Sequence, residues 1–208
     1  GVLRRSHFAE MFPDLAANLR CTDLDGFPVC FARRGGFHPE KEYRVQAVGL
    51  APFLEAHRQQ TLILVGMGDA RGALTNDAVG WLAERGSGIA SFPAGASYAS
   101  IIVEGELVFE QMNPHNAIEV TGLRGSGLGP LKIKRELSVT SSGTAPGGYA
   151  SLLVEDREIL FNLSGLNVAA LDNDQNVIAV GTFAHPRDLP GMAAATGGLV
   201  FTLEPVRP

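Results

Sequence analysis

The chain has 208 residues, 45% of them hydrophobic, with 25 glycines, enough for one large domain or two small ones built from short β-forming runs and tight turns. A net charge of -5 with no long basic stripe excludes an electrostatic case for nucleic acid. No apolar segment reaches the roughly 20 residues of a membrane-spanning helix, and the start at Gly1 reads as a processed or trimmed end.

In chain order, Phe8, Met11, Phe12, Leu15 and Leu19 fall at helical spacing within Ser6–Arg20, interrupted by Pro13. Cys21 and Cys30 flank Asp25-Gly26, a favoured two-residue hairpin turn. That turn pairs Leu24 with Phe27, and counting outward sets Cys21 opposite Cys30 at a non-hydrogen-bonded position, where a disulfide is geometrically allowed. Two reduced core cysteines are the alternative. Tyr43–Val48 alternates as a strand, and Pro52–His57 gives one or two helical turns.

The stretch from Thr61 to Gly105 organises the rest. An apolar strand, Thr61–Gly66, leads into an acidic turn at Gly68-Asp69-Ala70-Arg71. A helix over Asn76–Arg85 stops at Gly86-Ser87-Gly88, with Asn76 placed as its N-cap, and a second apolar strand follows from Tyr98. Next comes a hairpin within Leu107–Glu119 turning at Asn113-Pro114-His115-Asn116, then a glycine-rich crossover, Gly122–Pro130. Leu131–Thr140 reads as one half-buried strand with a bulge near Arg135, whose Lys132 and Lys134 belong to a solvated face. Strands recur at Tyr149–Val154, Glu158–Asn162, Asn167–Leu171, Val177–Phe183 and Leu199–Leu203.

Two internal echoes suggest related lobes: Ser97–Glu104 is similar to Gly148–Glu155, and Cys21–Pro39 aligns without gaps on Val168–Pro186. The division is 1–121, a crossover at 122–130, and 131–208. The expected fold is mainly β with α: a β-sandwich flanked by short helices, its two related lobes packed together as one cooperative unit.

Gly165–Asp172 followed by Thr182–His185 resembles the opening half of the interleukin-like EMT inducer domain. Phe53-Leu54-Glu55, Thr61–Gly66, Gly68-Asp69, Leu74–Ala78 and Leu82–Ser87 resemble its closing half, with Tyr98–Gly105 in the place of the last strand. The halves stand in reversed order here, either as a circular permutation or as one divergent copy followed by an incomplete second, and the echo of Cys21–Pro39 favours the second explanation. The resemblance implies a helix-flanked β-sandwich without cofactor or catalytic residues, found in secreted signalling proteins and in carbohydrate-binding modules beside larger enzymes. In the sugar-binding version an acidic residue after the central strand works with an Arg. Asp69 matches the first, and Ala96 and Ser97 stand where the Arg-Asp pair would be.

Asp69, Arg71 and Asn76 are therefore the candidate polar ligands, with Trp81 or Tyr98 as a ring face for a sugar. The histidines, His7, His38, His57, His115 and His185, show no metal spacing, and no Gly-x-Ser-x-Gly nucleophile motif occurs. The expectation is a non-enzymatic recognition module without cofactor or metal, extracellular or at a cell surface, binding carbohydrate. A protein-interaction or homo-oligomerisation module is the alternative.

Overall fold

The computed structural model describes the backbone of residues 19–24, 27–33, 42–121, 127–128, 131–132, 135–154, 157–159, 164–185, 187, 189 and 191–204. Side chains are described from 46 onward, apart from 127–132, 157, 158, 191, 192, 203 and 204. Most of the expected N-terminal helix, the His38 loop and Asn162 lie outside these residues, while Leu19 and Arg20 are already strand.

β1 (Leu19–Leu24) and β2 (Phe27–Arg33) form the first hairpin, and β3 (Glu42–Ala47) follows. Helix α1 (Leu50–Ala56) connects β3 to β4 (Thr61–Gly68). A 3-10 turn (Ala70–Ala73), helix α2 (Asn76–Ala83) and a second 3-10 turn (Gly88–Ser91) lead to β5 (Ser97–Val103) and β6 (Glu106–Asn113). Then come β7 (Ile118–Val120), β8 (Gly127–Leu128), β9 (Leu131–Lys132), β10 (Leu137–Gly143), β11 (Tyr149–Val154) and β12 (Arg157–Glu158). β13 (Gly165–Leu171), β14 (Val177–Phe183), helix α3 (Gly191–Thr196) and β15 (Gly198–Glu204) complete the order.

The protein is mainly β with some helix, organised on one large sheet. Its main path runs β1-β2-β3-β15-β14-β13-β4 and continues through β5 to β6, every neighbouring pair antiparallel. Strands of the two expected lobes thus interleave: β15, β14 and β13 stand between β3 and β4, which are neighbours in sequence. One row of directly opposed residues crosses the whole path: Cys21, Cys30, Val45, Phe201, Val180, Ala169, Ile63, Ile101 and Phe109.

β4 and β13 pair over seven residues, Thr61↔Leu171 to Met67↔Gly165. Both are apolar except for Thr61 and Asn167 and are buried on both faces, so neither shows a clean two-residue alternation. On one face Leu62, Leu64, Val168 and Ala170 join a core with Phe53 and Leu54 of α1 and Ala78 and Leu82 of α2. Phe53 packs against Phe183 with the rings tilted by 54° and their centroids 5.4 Å apart. On the other face Ile63, Val65 and Ala169 pack with Ile118 of β7, Leu137 and Val139 of β10 and Leu152 of β11.

Three local expectations are corrected. The hairpin of β6 is formed with β5, across Glu104-Gly105, both at positive φ (49° and 82°). β7 instead pairs with β10, so 113–116 is a crossing rather than a hairpin turn. The strand expected over Leu131–Thr140 is broken at Arg135, whose backbone N–H donates to Gln175 Oε1 at 3.0 Å and whose guanidinium donates to Asn176 Oδ1 at 2.6 Å. The hairpins in the second echo also differ in register: Leu24 pairs with Phe27, but the aligned Leu171 pairs with Val177 rather than Asp174.

Candidate functional site

Several loops meet at one end of the sheet, where β4, β6, β10 and β14 finish and β5, β11 and β13 begin. The pairing Gly143↔Gly68 sets the β10–β11 turn beside the turn that follows β4. Gly148 neighbours Gly68: a methyl at 148 would stand in ordinary contact, 4.0 Å from the Gly68 Cα. Thr144 donates its N–H (2.9 Å) and its hydroxyl (3.2 Å) to the Gly95 carbonyl, tying the turn before β5 to the same rim.

Beneath this rim the ladder between β4 and β5 forks. Pairing runs to Val65↔Ala99, and the next rung is replaced by a side chain. The Ser141 hydroxyl donates to the Gly66 carbonyl at 2.7 Å and accepts the Tyr98 N–H at 2.8 Å. Ser97 repeats the device, donating to the Asn116 carbonyl at 2.7 Å and accepting the Gly143 N–H at 2.9 Å. Both serines are fully buried, which makes these bonds a structural requirement.

The five candidate ligand residues are not all brought together. Asp69 is exposed on the rim at the start of the first 3-10 turn, and its carboxylate has no hydrogen-bond or ion-pair partner among the described residues. Arg71 is exposed too, but it carries a structural duty: its guanidinium donates to the Phe92 carbonyl at 2.6 Å, joining the two 3-10 turns. Asn76 is the first residue of α2 rather than its cap. Thr75 holds that position, its hydroxyl accepting the Ala78 N–H at 3.3 Å.

Trp81 is half-buried, with Arg85 stacked on its ring 3.4 Å from the centroid. Its indole N–H donates to Glu55 Oε2 at 3.0 Å. That hydrogen bond, aided by Arg58 and Arg85, holds the Glu55 carboxyl below its ordinary value. The ring face is thus already used. Tyr98 is fully buried and unavailable to a surface ligand. Its phenol donates to Glu110 Oε1 at 2.9 Å, and burial pushes its pKa well above the usual 10.0. Glu110 also accepts the Gly88 N–H at 2.8 Å and the Ser87 hydroxyl, so this carboxylate anchors the second 3-10 turn.

One residue of this end has no counterpart among the candidates. Tyr149 is the large hydrophobic side chain left open among the described residues, 47% exposed, and it follows Gly148 at the rim. The echo of Ser97-Tyr98-Ala99 in Gly148-Tyr149-Ala150 marks it: the first tyrosine is buried in the core that contains Ala78 and Leu82 of α2 and packs on Phe92, and the second stays open. Cys21 and Cys30 occupy opposed positions of β1 and β2, remote from this rim. Among the described residues no three His, Cys, Asp or Glu stand together as a metal-binding group. His185 and His115 lie in turns: Nδ1 of His185 accepts the Arg187 N–H at 3.3 Å, and the His115 N–H donates to Asn113 Oδ1 at 3.0 Å. No helix is long and apolar enough to cross a membrane among the described residues.

Comparisons with protein-family models, with curated proteins and with solved structures find no match.

Proposed function

We propose that the protein is a non-catalytic recognition module that binds carbohydrate at the loop end of the sheet, with Tyr149 as the ring platform and Asp69 as the hydrogen-bonding carboxylate. The observation that carries this reading is that an open tyrosine and an unpartnered carboxylate both stand at the end of the sheet where Gly143 pairs with Gly68. A pyranose offers an apolar C–H face to a ring and hydroxyl donors to a carboxylate, so the two groups suit the two sides of one sugar. Arg71 keeps further N–H donors beyond the one given to Phe92. Trp81, Tyr98 and Asn76 drop out as direct ligands in this reading.

The same proposal takes the fold as a helix-flanked β-sandwich of the interleukin-like EMT inducer kind, working beside a larger enzyme or surface assembly outside the cell. The two core clusters on opposite faces of β4 and β13 support the layering. The direct pairing of β13 with β4 supports the permuted order over the duplicated one. A glycan array probed with the native chain, Asp69→Ala and Tyr149→Ala tests the reading. Binding by the native chain and its loss in both variants are expected. Silence of the native chain, or unchanged binding by both variants, overturns it.

A protein-interaction or oligomerisation module is the second reading, favoured by β6. This strand pairs with β5 along one side and with no other described strand, which leaves an edge for another chain. A strictly monomeric species in light scattering removes the oligomeric form of it.

A further inference from the structure

We propose that Cys21 and Cys30 form a cross-strand disulfide that locks the register of the outermost hairpin of the sheet. The inference rests on backbone register alone and is independent of the carbohydrate reading. β1 pairs with β2 from Leu19↔Ala32 to Leu24↔Phe27, with Cys21↔Cys30 directly opposed. A two-residue connection makes its flanking pair, Leu24 and Phe27, the hydrogen-bonded one. Alternation then makes Asp23↔Pro28 non-hydrogen-bonded, Thr22↔Val29 hydrogen-bonded and Cys21↔Cys30 non-hydrogen-bonded. Pro28 provides an independent check, because its missing N–H is tolerated only where β1 demands no donor from it. Opposed residues at such a pair have Cα atoms about 4.5 Å apart, inside the range a disulfide spans.

Chain position and composition point the same way. Cys21 and Cys30 are the two cysteines of the sequence, so neither has a rival within the chain. β1 has β2 as its one strand partner, while β2 is held on its other side by β3 through Cys30↔Val45. A slip of β1 by one residue would exchange the faces of all its side chains, and no second neighbour among the described strands opposes that slip. The bond would add the missing constraint at the edge.

Formation needs an oxidant, here a low-molecular-weight or protein disulfide. The thiolate of one cysteine attacks a sulfur of that disulfide and expels a thiolate, giving a mixed disulfide. The second cysteine, as thiolate, attacks the sulfur of the first and expels the other half. Two protons leave the protein, and the oxidant is reduced to two thiols.

The test uses the full chain in a buffer of oxidised and reduced glutathione, poised as in a secretory compartment, followed by denaturation in a thiol alkylator. Arg20 and Arg33 flank the pair with no Lys or Arg between them, so trypsin releases both cysteines in one peptide, 21–33. The expected result is a peptide lighter by two hydrogens and carrying no adduct, which gains two adducts after reduction. Cys21→Ser should then leave a single alkylated thiol at Cys30. Two adducts on the native peptide without reduction, glutathione retained on either cysteine, or a disulfide-linked dimer would overturn the proposal.

Discussion

The fork beneath the rim predicts an unusually large effect for one small substitution, Ser141→Ala. The change removes one oxygen from a fully buried site and leaves two backbone groups without partners, the Tyr98 N–H and the Gly66 carbonyl. Each buried polar group left unpaired costs about 1–3 kcal/mol, so the two together cost roughly 2–6 kcal/mol of stability. For a chain of this size each kcal/mol lowers Tm by about 2–4 °C, which places the shift on the order of 5–25 °C. The β4–β5 ladder ends at Val65↔Ala99, so no pairing of Gly66 with Tyr98 stands ready to replace the two lost bonds. Thermal unfolding followed by circular dichroism measures the shift. Ser138→Ala serves as the control on the same strand, partly exposed and expected to stay within about 0.5 kcal/mol. A Ser141→Ala loss no larger than that of the control would refute the bridging role of the hydroxyl.

Two further outcomes follow from the helix pair and from the strand order. Because the folded chain depresses the Glu55 pKa, the stabilisation it brings is present above the ordinary 4.5 and is lost as pH falls through the lower folded value. Trp81 is the single tryptophan, so its emission should titrate below pH 4.5, and Glu55→Gln should abolish the step; a midpoint at or above 4.5 would contradict the hydrogen bond. Residues 131–208 expressed alone should fail to melt cooperatively, since β13 loses β4 and β15 loses β3. A soluble fragment with a sharp transition would show the C-terminal part to be independent.

Local signals carried much of the fold. The apolar run of β4, the helical spacing of α1 and the two-residue turn at Asp25-Gly26 each state their structure within a few residues. Cys21↔Cys30 was legible because a two-residue turn dictates everything that pairs outward from it. The β5–β6 turn was hidden because Glu104 is not a residue that advertises positive φ, whereas Asn113-Pro114 imitates a turn and marks a crossing. Strand order was hidden for a different reason: nothing local in β3 or β4 records that three later strands come between them.

The site was readable only in part. Asp69 stands in an acidic turn, and such turns lie at the surface, where the structure puts it. Tyr98 lies in a strand covered on both faces, so alternation could not separate a buried ring from an open one. Arg71 and Trp81 have partners in Phe92 and Arg85, contacts that depend on how α2 and the second 3-10 turn pack. Thr75 and Asn76 are both good capping residues in adjacent positions, and propensity alone does not rank them.

The insertion of β13, β14 and β15 between β3 and β4 also sets a timetable for the growing chain. β4 is finished about a hundred residues before β13 begins, which at ribosomal speed is a wait on the order of 5–20 s. Through that interval the side of β3 that will take β15 and the side of β4 that will take β13 are unpaired, open to wrong partners. β13, β14 and β15 close the middle of the sheet, so a chain stopped before them would leave its defect at the centre.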